Sequence, residues 1–486
     1  MLLVQACLLF YALDLLPVWT DEQFTIYAVD KPISEIVTIV QHDIHPPLYF
    51  ILLHAWHEIP MPWVGVEALR AFSAIWTLIA TVLLDLFWLR ALKPSQRWLA
   101  LWLFALSPCL LLYGRMARSY SMQAALSILA LSLCVRWMNE PRSLLRAGAA
   151  AVSVIALLYT HYVPGLAVLA AFLIAGWRSL GPARAGIFAA AVLAGYFPWL
   201  TTLIGALTRW GRATSFDANY AISGNVVLEQ FIKIGFGLVS LTIGESFLAV
   251  SLLLVPVILL LTVIGARSSE LPRRVVWLIV AAAVIGYLGV SRWASYPFIP
   301  ARLLWLLPFL MLAVTLGISG IRRIPLRNAT IAVILLSYTS SCFLYFRREN
   351  FLNLGYTAPL PEIAAKLNHD AQAGDLIIMD AYNTDSQVLA SQLSGRTPAF
   401  EIDLKHFDDL HRRIASTPRV WIVRNTRDIS PGHITTRLQN EACAGRVRRD
   451  TLLEPYAQWQ KLAMRIAGFH PVLTHFYELT ECGPPQ

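Results

Sequence analysis

The sequence predicts an α-helical polytopic membrane protein, with about eleven transmembrane helices and a small C-terminal extracytoplasmic α/β domain. Three observations predict it. Of 486 residues, 57% are hydrophobic and only 14% charged, with a mean hydropathy of +0.57; soluble domains carry roughly 25% charged residues. The apolar residues gather into runs near the ~20 residues that ~30 Å of hydrocarbon demands. From about residue 347 onward the composition becomes that of an ordinary soluble domain. The net charge of +9 does not point to nucleic acid, because Lys and Arg are scattered in short clusters between apolar runs, as in cytoplasmic loops.

Taken in order, the run 2–17 reads as a first membrane helix. It lacks the basic region and the small-residue cleavage site of a signal peptide, and its missing basic flank leaves the true start open. At 1.5 Å per residue it only just reaches across the bilayer. A polar segment, 18–67, follows as a first outer loop. It contains WTDEQF and then QHDIHPPLYFILLHAW. Pro46 and Pro47 forbid a helix start before them, and the apolar, aromatic stretch behind them suits a segment lying in the interface. Further runs fall at 68–92, 97–113, 120–138, 147–162, 163–177, 186–205, 246–266, 274–291, 303–320 and 328–346. The stretch 225–245, with Glu229 and Lys233, reads as an interfacial, buried or re-entrant helix.

Basic residues fix the orientation. Lys93 and Arg97, Arg136, Arg142 and Arg146, Arg178 and Arg184, Arg267, Arg273 and Arg274, and Arg322, Arg323 and Arg327 alternate with the outer loops, which makes their side the cytoplasm. The protein is then placed in the cytoplasmic (inner) membrane, with its N-terminus inside and residues 347–486 outside. In that tail, LIIMDA and RVWIVRN read as buried strands, HPVLTHFYEL as a further one, and LPEIAAKLNHDAQ and 403–415 as helices. The tail reads as a capping or acceptor-docking module without catalytic groups of its own; a ligand site at its strand ends is the other reading. Cys443 and Cys482 lie there and would form a disulfide only outside the cytoplasm, whereas Cys7, Cys109, Cys134 and Cys342 belong to apolar runs. There is no internal repeat, P-loop, GxGxxG or zinc-ligand spacing.

The polar chemistry collects in four outer segments. Asp21 and Glu22 stand just past the first run. YGRMARSYS carries Arg115 and Arg118 three residues apart, hence on one helical face, together with Tyr120. LYTHYVP carries His161, and SRWASYPFIPARLLW carries Arg292 and Arg302. Each has a bland reading. Acids at a helix end are often solvated surface, arginines at helix ends snorkel to lipid phosphates, and a lone membrane histidine is usually an interhelical donor. His42, His54 and His57 read as surface or packing residues. A divalent metal on His42, Asp43 and His45 is a weaker alternative, since that spacing matches no standard motif. Asp85 apart, charge is nearly absent inside the runs, as suits chemistry at the outer interface rather than passage through the bilayer.

Asp21-Glu22 after the first run, His45-Pro46-Pro47-Leu48-Tyr49 in the loop, Arg70 opening the next helix, Arg118-Ser119-Tyr120-Ser121, and more weakly Pro300-Ala301-Arg302-Leu303-Leu304 together resemble the GT-C superfamily of membrane glycosyltransferases. The branch is similar to the protein O-mannosyltransferases and the lipid A aminoarabinose transferases, and the resemblance covers about residues 1–350. The chain has His45-Pro46 where the aminoarabinose enzymes carry Lys-Pro, lacks the insert of the mannosyltransferases, and lacks the Arg-Tyr pair common near Arg302. The sugar and the acceptor therefore stay open.

The resemblance implies transfer of a sugar from a polyprenyl-phosphate donor to a hydroxyl of an envelope glycan, lipid or protein, without a nucleotide sugar. It implies Asp21 as general base with Glu22 beside it. His45, Arg115, Arg118, Tyr120, His161 and Arg302 are the expected substrate-binding residues. One base with direct displacement inverts the anomeric carbon, whereas retention normally requires a second, nucleophilic carboxylate. The partners expected are the lipid-linked donor, the acceptor and membrane lipids, with no nucleic acid. Two alternatives stand beside this: a flippase for the same lipid, and a non-catalytic polyprenyl-lipid-binding scaffold. Loss of function on removing the Asp21 carboxylate separates both from a transferase.

Overall fold

The computed structural model describes residues 1–43, 45–212, 226–293, 299–380, 385–394, 399–401, 407–425, 434–453 and 477–484. The chain divides into two compact units, one of Met1–Leu13 with Thr25–Arg347 and one of Asp14–Phe24 with Arg348–Gln486. The end of the first apolar run and the start of the loop after it thus group with the C-terminal unit.

In the first unit, seven helices among the described residues are long and apolar enough to cross a membrane: Val66–Leu89, Tyr120–Asn139, Pro182–Thr208, Ala249–Ala266, Arg273–Ser291, Ile299–Ser319 and Ile324–Phe346. Pro94–Ala105 and Pro108–Gly114, bent by 51° at the break between them, make an eighth if taken as one span. The bend has a local cause. Pro108 has no N–H to continue the helix, and Ser107 restarts it by accepting from the Leu110 N–H at 3.5 Å. Leu144–Thr160, Tyr162–Trp177 and Gln230–Ile243 are shorter apolar helices, so the closely spaced pair around His161 is two helices.

The first apolar run departs from expectation. Only Leu2–Phe10 is helical, nine residues that are too few to span ~30 Å. The chain then turns at Ala12, whose φ is 48°. Arg115 donates to the Tyr11 carbonyl at 2.7 Å and to that of Ala12, and Arg70 donates to Leu13 at 2.7 Å. These guanidinium groups take up carbonyls at the end of the helix and in the turn that follows it.

Close packing between spans rests on small residues. A Cβ on Gly265 would lie 1.8 Å from the Ala313 carbonyl oxygen, and one on Gly317 would lie 2.0 Å from that of Leu261. The two backbones meet directly, as small residues allow in membrane helix pairs. Asp85, the charge inside an apolar run, is held by Arg97 through two bonds of 2.6 Å. It is a paired group at a helix end, where the span closes with a π-turn, Asp85–Leu89.

The second unit is a five-stranded mixed sheet, ordered β2-β1-β3-β5-β4, with β1 Leu376–Asp380, β2 Ala399–Glu401, β3 Val420–Asn425, β4 Val447–Leu453 and β5 Tyr477–Gly483. β1 pairs in parallel with β2 and β3, and β5 runs antiparallel to β3 and β4. Side chains alternate between faces along each strand. Ile377, Met379, Trp421 and Val423 face Leu360, Ile363 and Leu367 of the helix Leu360–Asp370, while Ile378 and Ile422 face Leu410, Ile414 and Leu438. Cys443 and Cys482 are joined as a disulfide across the second core. Val18 packs on the first core, and the Trp19 ring meets Tyr356 at 5.3 Å, which is what draws residues 14–24 into this unit. The sequence-predicted helix over 403–415 appears as Phe407–Ser416, and the last strand begins at Tyr477; residues 403–406 and 470–476 lie outside the described residues.

Candidate active site

Arg118 is the centre of a buried polar group in the first unit. It lies on the turn between the helices Pro108–Gly114 and Tyr120–Asn139 and is 3% exposed. Its Nη1 donates to Thr25 Oγ1 at 3.1 Å, and its Nη2 meets His45 Nε2 at 2.5 Å. His45 Nδ1 in turn bonds the Asp43 carboxylate. Since a guanidinium only donates, His45 Nε2 must accept and its Nδ1 must carry the proton. The line Asp43–His45–Arg118–Thr25 thus sets one imidazole tautomer and one guanidinium orientation.

The loop is locked onto this line. Tyr49, fully buried, hydrogen-bonds Ser73 at 3.0 Å, and the Ser73 hydroxyl reaches the Arg118 carbonyl at 3.3 Å. The HPPLY segment is therefore tied through Val66–Leu84 to the turn that carries Arg118. His161 stands in extended backbone between Leu144–Thr160 and Tyr162–Leu180, where its Nδ1 accepts from the Val163 N–H at 3.2 Å. It lies within electrostatic range of Arg302, His45 and Arg118. Burial, and then the charge of Arg302, holds its pKa well below the ordinary imidazole value, so it is neutral. Arg302 is on the short helix Ile299–Leu303, anchored where Gln123 donates to the Ala301 carbonyl at 2.9 Å.

Four of the sequence-expected residues, His45, Arg118, His161 and Arg302, thus come together from four separate segments. One other, Arg115, is placed differently. Arg115 turns to the carbonyls after the first helix and sits 5.3 Å from the ring centroids of both Tyr345 and Phe346. Tyr120 packs edge-on against Tyr113 at 5.9 Å. Asp21 and Glu22 occupy the first turn of the helix Thr20–Val29; Glu22 is fully buried and Asp21 partly exposed. Asp21 is four residues before Thr25, which puts both on one face of that helix.

His42 hydrogen-bonds the Thr38 carbonyl at 2.8 Å, and no group of three or more metal-ligating side chains occurs among the described residues. The His42, Asp43 and His45 set therefore does not gather as a metal centre. The side chain of Arg292 lies outside the described residues.

No family model and no curated relative matches the chain. Solved structures do. ArnT from Cupriavidus metallidurans bound to undecaprenyl phosphate aligns at a TM-score of 0.55 and 10% identity, over 100% of this chain and 98% of that one. The same protein in the apo state aligns at 0.50 and 12%, over 91% and 89%. The chain has the GT-C fold. An Archaeoglobus fulgidus oligosaccharyltransferase, also of the GT-C fold, aligns at a TM-score of 0.45 and 12% identity over 73% of this chain and 53% of that one.

Within this GT-C fold, sequence reading missed Thr25 and Ser73 as partners of the arginine, and Asp43 and Tyr49 as the groups that hold His45 and Ser73. Asp43 stood in plain view two residues before His45. Thr25 and Ser73 carry no signal, because a hydroxyl becomes a ligand only when packing aims it. Glu245 was missed as well. It closes the LTIGE segment and is 1% exposed. Tyr113 and Ser240 both donate to its Oε1, Ser240 at 2.9 Å, and its Oε2 has no partner among the described residues. Gly244 makes this corner possible with φ +84°, and a Cβ there would lie 2.4 Å from Pro108 Cβ. Glu245 thereby pins Tyr113, two residues before Arg115.

Proposed function

We propose that the protein is an inverting membrane glycosyltransferase that moves a sugar from a polyprenyl-phosphate donor to a hydroxyl acceptor of the cell envelope. The observation that carries this reading is Arg118, held between Thr25 and His45 with Asp43 behind, on a GT-C fold. The likeness to ArnT solved with undecaprenyl phosphate supports a lipid phosphate as the group that such an arginine meets.

The chemistry follows. The acceptor oxygen attacks the anomeric carbon on the face opposite the phosphate. The carbon–oxygen bond to phosphate breaks, and the lipid phosphate leaves with the electron pair. The acceptor proton passes to the Asp21 carboxylate, an effect of ~10²–10⁴-fold for a placed base. Arg118 and Arg302 neutralise the charge that grows on the leaving phosphate. His45, with its proton on Nδ1, keeps Arg118 oriented, and neutral His161 adds no competing cation. The Cys443–Cys482 disulfide supports an oxidising, extracytoplasmic setting for the C-terminal unit.

The test is transfer of labelled sugar from purified polyprenyl-phosphate donors to an envelope extract. Asp21→Asn is expected to lower the rate by ~10²-fold or more while donor binding is kept. Undiminished transfer by Asp21→Asn would remove the base, and no transfer from any donor by the unaltered protein would favour a lipid-binding scaffold.

A further inference from the structure

We propose that the membrane unit carries a separate site for an anionic bilayer phospholipid, with an acyl chain in an apolar cavity and the headgroup phosphate on Arg267 and Arg273. The cavity has a volume of about 240 Å³ and is walled by residues such as Leu241, Leu259, Leu271 and Phe309. Its two threonines have no free hydroxyl proton to offer. Thr242 donates to the Leu238 carbonyl at 2.6 Å and Thr262 to that of Ile258 at 2.8 Å. A water placed there would find no donor and only the lone pairs of two hydroxyls, whereas hydrocarbon loses nothing. The occupant is therefore an alkyl chain.

The position of the cavity says which one. Its walls include the last turns of Leu254–Ala266 and the first turns of Arg273–Trp293, so it lies toward the loop 267–272 that joins them. That loop and its flanks carry Arg267, Arg273 and Arg274 against one acid, Glu270. The acid is drawn away: Gln96 donates to it at 2.8 Å, and Lys93 lies 4.0 Å from it. Arg274 donates to Asn139. Arg267 and Arg273 are exposed, with no side-chain partner among the described residues. Two uncompensated cations flanking the loop whose Leu271 lines an apolar cavity match one anionic phospholipid. Arg302 lies at the opposite end of the span Ile299–Ser319 from the loop that follows Ser319, and the cavity begins only at Leu306 on that span. The site is thus distinct from the phosphate group proposed above and does not depend on the transferase reading.

The test uses the full chain in detergent, stripped of lipid and titrated in native mass spectrometry with phosphatidylglycerol, phosphatidylethanolamine, undecaprenyl phosphate and free glycerophosphoglycerol. Phosphatidylglycerol is expected to be retained at least several-fold better than phosphatidylethanolamine, and the free headgroup not at all. Ala283→Trp, which fills the cavity, is expected to lose the bound phosphatidylglycerol. The surface double variant Arg267→Gln/Arg273→Gln leaves the core untouched and is expected to bind both phospholipids equally. Equal binding of the two phospholipids by the unaltered chain would overturn the proposal. So would retention of the preference in the double variant, or displacement of phosphatidylglycerol by one equivalent of undecaprenyl phosphate.

Discussion

At the scale of single residues, the site depends on one guanidinium with two fixed partners. Arg118 reaches Thr25 and His45 at once because its fork is planar and its donors diverge. A lysine carries the charge but cannot meet both. Arg118→Lys is therefore expected to weaken binding of the lipid-phosphate donor by about tenfold or more, read by titration with undecaprenyl phosphate; unchanged affinity would take Arg118 out of the phosphate site. His161 gives a pH signature. Its pKa is lowered in the folded chain, chiefly by burial, so the unfolded chain takes up its proton first, near pH 6.5. Its contribution to stability is complete above that pH and falls away as pH drops toward the folded pKa. His161→Gln keeps a side-chain acceptor for Val163 and removes the titration. Melting temperature in detergent is expected to fall less steeply below pH 6.5 in that variant than in the unaltered chain.

At the scale of elements, the spans Ala249–Ala266 and Ile299–Ser319 are held by direct backbone approach at Gly265 and Gly317. No flexible side chain can give way there, because the obstructing atoms are carbonyl oxygens and backbone carbons. Gly317→Ala is expected to destabilise the protein by about 1–3 kcal/mol or more, as overpacking does, and to lower the melting temperature in detergent. A neutral result would mean that the two backbones separate freely. The apolar runs after the first loop were legible because a membrane helix is written in composition. The first run was not, since its later residues, YALDLLP, are apolar enough to read as helix while the chain turns at Ala12 and Arg115 seals the exposed carbonyls. Hydropathy measures solubility in lipid and is blind to a capping group that arrives from residue 115.

At the scale of the whole molecule, the Cys443–Cys482 bond ties the helix Ile434–Ala442 to β5 across 39 residues. Cys443→Ser is expected to cost about 2–4 kcal/mol of stability in the C-terminal unit, measured by its thermal unfolding with and without reductant. A reductant-insensitive transition in the unaltered protein would mean that the bond does not form. The same experiment bears on topology, because such a bond persists only on the oxidising side of the membrane.

The sequence by itself determined that this is a many-spanned helical membrane protein with an α/β tail, because burial in lipid and strand alternation are recorded residue by residue. It also marked Arg118, His161 and Arg302, since charge at the end of an apolar run stands out from its background, while His45 was marked by the resemblance its HPPLY motif carries. Only the tertiary structure decided which polar groups meet: that Arg118 takes Thr25 and His45, that Arg115 closes a broken helix instead, and that Glu245 bonds Tyr113 from 132 residues away. Those pairings rest on long-range packing, and a chain's order carries no direct record of which distant side chains a fold will bring within 3 Å.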